Sequence, residues 1–169
     1  MIATILMGSG FLAHSQEVGI QLYSLRNQFK MDVSNTLGLI NEWGISKIEG
    51  GDTYDMPLED FKALLDQNNL DMVSIGATFE DLESDVEKVI KNAKDFGAKY
   101  VMCAWVPHEG NTWELKETQH ATEVFNKAGK VLKQNGLVLA YHPHGYEFRK
   151  YKRGTLFDYM AQNATDFTF

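Results

Sequence analysis

A chain of 169 residues is one domain's worth, and 44% apolar with 12% aromatic content is enough for one hydrophobic core without a disordered tail. Sixteen Lys and Arg against 23 Asp and Glu leave a formal charge of −7. That balance opposes docking on nucleic acid or an anionic membrane, and the basic residues read as dispersed, with no run that would build a cationic face. The single cysteine, Cys103, excludes an intramolecular disulfide and a structural zinc finger; inside an apolar run it reads as an inert buried thiol.

The first fifteen residues differ in kind. Residues 2–7 and 11–13 are apolar but too short to span a bilayer. Ala13-His14-Ser15 then offers small residues at the −3 and −1 positions of a signal-peptidase site. Nothing positive precedes Arg26, so the basic n-region is missing. Residues 1–15 are read as an export leader and 16–169 as the folded domain, with a periplasmic or secreted location expected. The alternative is a cytoplasmic protein with a floppy apolar leader.

From Val18 the chain repeats strand, helix, and a Gly or Asn stop. Residues 18–25 read as strand one. Thr36, Leu37, Leu39, Ile40 and Trp43 mark one face of a helix that Gly44 stops. Residues 46–50 are strand two; Pro57 opens a helix buried through Leu58, Phe61, Leu64 and Leu65 and closed at Asn68-Asn69. Residues 71–77 are strand three. The next helix carries Val86, Val89, Ile90, Ala93 and Phe96, with a capping-box pattern at Ser84 and Glu87 and a stop at Gly97. Residues 100–105 form an apolar strand four, of the kind covered on both faces. After a loop with Pro107, His108 and Glu109, a long helix runs to Gln134 with Ala121, Val124, Phe125, Ala128, Val131 and Leu132 inward. Strand five follows Asn135-Gly136; residues 155–162 are a helix and 166–169 the start of strand six.

Five βα units without linkers mean a parallel sheet with helical crossovers. Two architectures satisfy this, an open doubly wound sheet and a (β/α)8 barrel. A barrel typically needs about 250 residues, and a chain that stops on Phe-Thr-Phe leaves a bare hydrophobic strand edge. The sequence therefore reads as truncated.

Both architectures put chemistry at the carboxyl ends of the strands. The polar residues there are Gln21 and Tyr23, then Glu49, Thr78, Trp105 with His108, and finally His142, His144 and Glu147. Gln21 and Tyr23 share a strand face, as do His142 and His144, while Pro143 marks the strand's end. Glu49 stands before Gly50-Gly51, which allows close ligand approach, and Trp105 offers an apolar wall for a sugar face. No G-x-G-x-x-G, Walker or G-x-S-x-G spacing is present, so nucleotide and serine-hydrolase readings have no support.

Three stretches carry a resemblance: Val18-Gly-Ile-Gln-Leu-Tyr-Ser-Leu-Arg26, Phe96-Gly-Ala-Lys-Tyr-Val101 and Tyr141-His-Pro-His-Gly-Tyr-Glu-Phe148. They are similar to the sugar phosphate isomerase/epimerase family, the xylose isomerase-like TIM barrels, over nearly all of residues 18–169. The strongest motif is the Tyr-His-Asn-His-x-x-Glu-Phe type signature. Here Pro143 stands at the Asn position, which removes an amide side chain and a backbone N–H. The third-strand histidine common in such proteins is absent from Ser74-Ile-Gly-Ala-Thr78.

The resemblance implies a (β/α)8 barrel, of which this chain holds five βα units and the start of strand six. It implies a small-molecule carbohydrate substrate and a divalent metal, manganese, cobalt, magnesium or zinc, with an enediolate formed as carboxylates shuttle a proton between neighbouring carbons. Glu147 is then the metal ligand and acid/base carboxylate. His142 and His144 orient substrate hydroxyls or support the ligating groups from behind, and the strand-end residues Gln21, Tyr23, Glu49, Trp105 and His108 are the expected remainder of the substrate site. The remaining ligands come from strands six to eight, outside this chain. The rivals are a keto-sugar or inosose dehydratase or lyase of the same fold, and a non-catalytic exported carbohydrate-binding barrel. Endonuclease-IV-like proteins share the barrel, but the acidic charge opposes DNA binding. A half barrel with an open edge is prone to self-association as a homo-oligomer.

Overall fold

The computed structural model describes residues 17–110 and 112–169; the expected leader, residues 1–15, lies outside the described residues. Strands β1 (Gly19–Gln21), β2 (Lys47–Gly50), β3 (Asp71–Gly76), β4 (Tyr100–Cys103) and β5 (Val138–Tyr141) form one parallel sheet in the order β1-β2-β3-β4-β5. This order decides between the two architectures. A doubly wound sheet reverses its strand order at a switch point, whereas here each strand is added beside its predecessor. A sixth strand begins on the far side of β5. Ala140 and Thr168 pair in parallel, Tyr141 N–H donates to the Thr168 carbonyl at 2.8 Å, and Thr168 N–H donates to Leu139 at 2.9 Å. The fold is an incomplete TIM barrel.

The helices are α1 (Arg26–Phe29), α2 (Val33–Glu42), α3 (Leu58–Gln67), α4 (Phe79–Ser84), α5 (Val86–Phe96), α6 (Leu115–Gln134) and α7 (Leu156–Asn163), with a short hairpin β6 (Lys150–Tyr151) and β7 (Gly154–Thr155) before α7. Among the described residues no helix is long and apolar enough to cross a membrane. Alternation along the strands divides the residues between two layers. Ile48, Ile75, Val101, Cys103, Leu139 and Tyr141 are buried with Leu37, Ile40, Phe61, Leu65, Ile90, Phe125 and Leu132 of the helices. Met102, Val138 and Ala140 alternate with these and stay partly open, and Tyr100 is exposed.

Four local expectations are corrected. Strand one stops at Gln21, because Leu22–Leu25 tightens into a 3-10 turn that carries Leu22 into the core. Trp43 is exposed at the C-cap of α2, where the helical face has rotated away from the sheet. The helix expected from Ser84 is α5, and a further helix, α4, precedes it. Thr78 caps α4, and Asp85, not Ser84, caps α5 by accepting from Lys88 N–H. Strand four ends at Cys103, so Trp105 lies beyond the ladder and is half exposed. The glycine stops hold: Gly44, Gly97 and Gly136 are left-handed, at φ of 75°, 71° and 78°.

Two helical glycines respond oppositely to a methyl group. A Cβ at Gly129 would sit 2.1 Å from the Asp166 carbonyl oxygen, whereas at Gly38 it would meet only Asn68 Oδ1 at 3.7 Å. Gly129→Ala is expected to destabilise the fold by about 1–3 kcal/mol, and Gly38→Ala to stabilise it by about 0.5–1 kcal/mol. Urea denaturation of the two variants beside the parent checks both signs.

Candidate active site at the carboxyl edge of the sheet

Parallel pairing sets Gln21, Glu49 and Ser74 abreast on β1, β2 and β3. A register irregularity between Ile48 and Glu49 is what brings Ser74 opposite Glu49. Gln21 Nε2 donates to Glu49 Oε1 at 2.8 Å and Ser74 Oγ donates to Oε2 at 2.7 Å. The half-buried Glu49 carboxylate is thus aimed by two neutral donors from the flanking strands. Ser74 was not legible as a site residue, since only the register places it there. Gly50 and Gly51 serve the backbone: a Cβ on Gly50 would lie 2.9 Å from Leu22 Cδ1, and Gly51 has φ +112°.

Tyr23 does not share Gln21's face, because the strand has already ended. It is exposed on the turn, with the Arg26 guanidinium 4.7 Å above its ring. It borders a separate cleft of about 780 Å3 with Arg26, Gly50 and Tyr54. Thr78 is a helix cap, accepting from Asp81 N–H at 3.1 Å.

The second cluster is built by the loop after β5. His142 N–H still donates to the Cys103 carbonyl at 2.9 Å, so the ladder runs through His142 and ends at Pro143. The chain then folds back through a 3-10 turn, Tyr146–Phe148. Glu147 is fully buried there. It accepts the Tyr141 hydroxyl on Oε1 and His144 N–H on Oε2, the latter at 2.8 Å. Burial, and then the hydrogen bond to Glu147, push the Tyr141 phenol far above its ordinary value, so it stays a donor.

The fold-back lines up a row of rings. His142 and His144 are exposed and stacked at 5.1 Å, His144 stacks on Tyr146 at 5.4 Å, Tyr146 lies 4.3 Å from His108, and His108 4.3 Å from Trp105. His108 Nδ1 lies 2.7 Å from the Val106 carbonyl, which can only accept. Nδ1 therefore carries the proton, and in the neutral ring Nε2 is left as an acceptor. Trp105 also borders a cleft of about 350 Å3 with Met102 and Ala104. Trp113 is buried behind Tyr146 at 5.3 Å, and its indole N–H has no partner among the described residues. Tyr146 and Trp113 were missed in the sequence. Tyr146 sits at an unspecified position of the motif, and nothing in the pattern marks Trp113.

The structure brings Gln21 to Glu49, and His142, His144, Trp105 and His108 into one row; it sets Tyr23 apart and encloses Glu147. Among the described residues no three His, Cys, Asp or Glu side chains converge closely enough to hold a metal ion. Cys103 is buried, donates to the Trp105 carbonyl at 3.3 Å, and is pushed up to about 11 by burial.

A sequentially ordered parallel sheet with its polar side chains gathered on the carboxyl edge has the fold of the xylose isomerase-like TIM barrels, represented here by the N-terminal part of the barrel. A sugar phosphate isomerase/epimerase from Parabacteroides distasonis is similar at a TM-score of 0.74 and 20% identity, over 100% of this chain and 68% of that one. A xylose isomerase-like TIM barrel protein from Mycobacterium smegmatis in complex with magnesium follows at 0.60 and 15%, over 80% and 57%. The probable 3-DHS dehydratase AsbF from Bacillus anthracis is similar at 0.63 and 13%, over 88% and 59%. The matches thus span between 57% and 68% of these three chains. No protein-family model and no curated protein sequence matches.

Tyr141→Phe leaves the enclosed Glu147 short of one donor, and is expected to cost about 1–3 kcal/mol in urea unfolding. Burial pushes Tyr54 and Tyr146 up to about 12, with Asp52 adding to the first and Glu147 to the second. An unfolded tyrosine ionises near 10. Above that pH the unfolded chain sheds these protons first, so their contribution is intact below about 10 and is lost as pH rises through 12. Tyrosinate absorbance of the native protein should show a step near pH 12 that shrinks in Tyr54→Phe and in Tyr146→Phe.

Proposed function

We propose that the chain is the N-terminal part of a carbohydrate isomerase or epimerase that moves a proton between adjacent carbons of its substrate. The observation that carries this reading is the Glu49 carboxylate, half-buried and aimed by Gln21 and Ser74 at the edge where a barrel binds ligand. Held this way, it accepts from a sugar hydroxyl or takes a proton without first reorienting. Trp105 and Tyr146 supply apolar rings for a sugar face. His108 Nε2 accepts from a hydroxyl, and His142 and His144 orient neighbouring ones. Glu147 anchors the loop; it reaches a ligand only by giving up the Tyr141 hydroxyl or His144 N–H.

A divalent metal is supported in general terms by the magnesium of the Mycobacterium smegmatis protein. The residues described here do not by themselves fit one, since no three donors converge. On this reading the missing donors belong to the later strands of the whole barrel, as does the choice among manganese, cobalt, magnesium and zinc. The second reading, a dehydratase or lyase, is favoured by the likeness to AsbF and needs the same first proton abstraction.

The test uses the protein carrying its whole barrel, incubated with a panel of aldoses and ketoses in D2O, with manganese or with a chelator. Proton NMR should show loss of one C–H signal and growth of an isomer. Loss of water with an unsaturated product would transfer the assignment to the dehydratase. Sugar binding without exchange under either condition would sink catalysis and leave a binding barrel. Glu49→Gln is expected to slow exchange by about 10²–10⁴-fold with the fold intact by circular dichroism.

A further inference from the structure

The even spread of basic residues expected from the sequence fails at one place. Residues 149–153 read Arg-Lys-Tyr-Lys-Arg, which puts four of the chain's 16 Lys and Arg into five positions. The overall charge of −7 and the intervening tyrosine mask the run. In the structure it forms the hairpin β6–β7, with Lys150 paired to Thr155 and Tyr151 to Gly154, and Lys152 at φ +50° in the turn. Leu156 N–H closes its base on the Arg149 carbonyl at 3.0 Å. The hairpin lies between β5 and α7, so it belongs to the fifth strand-to-helix loop, on the face where barrels bind ligands.

Like charges packed this closely repel, and among the described residues five of the other twelve Lys and Arg are paired with a carboxylate. Lys47 meets Asp71 at 2.9 Å and Lys88 meets Asp81 at 2.9 Å. Among the described residues none of the four hairpin cations has a carboxylate within 4.0 Å. The residues outside that set contain no Asp or Glu. Arg149 turns inward to the Trp113 carbonyl at 3.3 Å, and the Lys152 ammonium sits 5.0 Å over the Tyr151 ring.

Between the hairpin and α7 opens a cleft of about 560 Å3, lined by Tyr151, Lys152, Arg153, Thr155, Tyr159 and Gln162 together with Gly154 and Asp158. Asp158 is the one acid on that wall. Its Oδ2 accepts Thr155 N–H and Thr155 Oγ, both at 2.7 Å, which ties it to the helix cap. Tyr151 and Tyr159 meet edge to face at 5.9 Å. Cations, tyrosine rings and an amide around one small cleft suit a ligand with one or two anionic groups on a polar ring. A long polyanion fits poorly, because the rest of the molecule repels it.

We infer that this cleft binds an acidic saccharide, with Lys152 and Arg153 taking its anionic group and Tyr159 and Gln162 taking the ring and a hydroxyl. The anionic group is a carboxylate or a sulfate or phosphate ester, which these cations accept alike. The inference rests on the carbohydrate reading for the ring but not for the charge, and it needs no turnover.

Calorimetry with the whole protein tests it, using trigalacturonate, a neutral trigalactoside and inorganic phosphate as probes. Trigalacturonate is expected to bind at least tenfold more tightly than the neutral trimer and to weaken with salt. Lys152→Gln/Arg153→Gln should lose at least tenfold, while the charge-keeping Lys152→Arg/Arg153→Lys binds within a few-fold of the parent and so excludes a folding effect. Tyr159→Ala should weaken trigalacturonate without moving phosphate. Equal binding of the neutral trimer, or full affinity in the double Gln variant, overturns the cleft. Duplex DNA binding as tightly as trigalacturonate, with no effect of Tyr159→Ala, overturns the saccharide and leaves a polyanion patch. Glu49→Gln should leave trigalacturonate affinity unchanged, so failure of the isomerase reading and failure of this one remain distinguishable.

Discussion

The rim of this half barrel depends on one buried carboxylate. Removing a charge from water costs several kcal/mol unless donors replace the solvent. Glu147 meets that demand without a cation: it accepts the hydroxyl of Tyr141, on the last residue of β5, and the backbone N–H of His144 three residues before it. Both ends of the loop are thereby tied to one side chain. Pro143 takes part by what it lacks. It has no N–H to donate, and it holds His142 extended, so the ladder ends at His142 and the next free donor is that of His144. The departure from Asn in the motif removes an amide but stiffens the turn that presents the two imidazoles.

The two carboxylates of the edge are held by different means, and the difference divides their work. Glu147 is closed in by its own loop. Glu49 is positioned from two neighbouring strands and remains half open, so its hydrogen bonds orient it without covering it. An orienting shell made of neutral donors leaves the carboxylate's charge for an incoming group, whereas a fixed cation would have compensated it. The row of rings from His142 to Trp105 lies at the ends of the later strands β4 and β5.

What could be read from the sequence was what local chemistry determines. Helix stops at Gly44, Gly97 and Gly136 follow from the left-handed backbone they need, and the buried faces of α5 and α6 follow from spacing. The βα pattern alone did not choose between sheet and barrel, because both use the same unit and differ only in which strand lies beside which; the three family-like stretches pointed to the barrel, and the strand order bears that out. Ser74 was hidden for a related reason: a one-residue slip between β2 and β3 decides whether Ser74 or Val73 faces Glu49. Tyr23 was misplaced because alternation was carried past the point where β1 runs out of partner. The basic hairpin was overlooked because net charge averages over the chain while binding responds to local density.

The segment that leads into the sixth strand is held against α6. Asn126, on that helix, accepts Thr165 N–H at 2.8 Å and Asp166 N–H at 3.2 Å, and donates to the Asn163 carbonyl at 2.9 Å. Three residues on, Gly129 has no side chain, so the Asp166 backbone can lie against the helix. One more turn along, Lys133 reaches Asp166 at 3.8 Å. A single helix face thus holds the segment that leads Thr168 to its parallel pairing with Ala140. The loop that carries His142, His144 and the hairpin lies between β5 and this segment. Its position on the rim therefore depends on α6 as much as on β5, and a methyl group at Gly129 would disturb the rim as well as the fold.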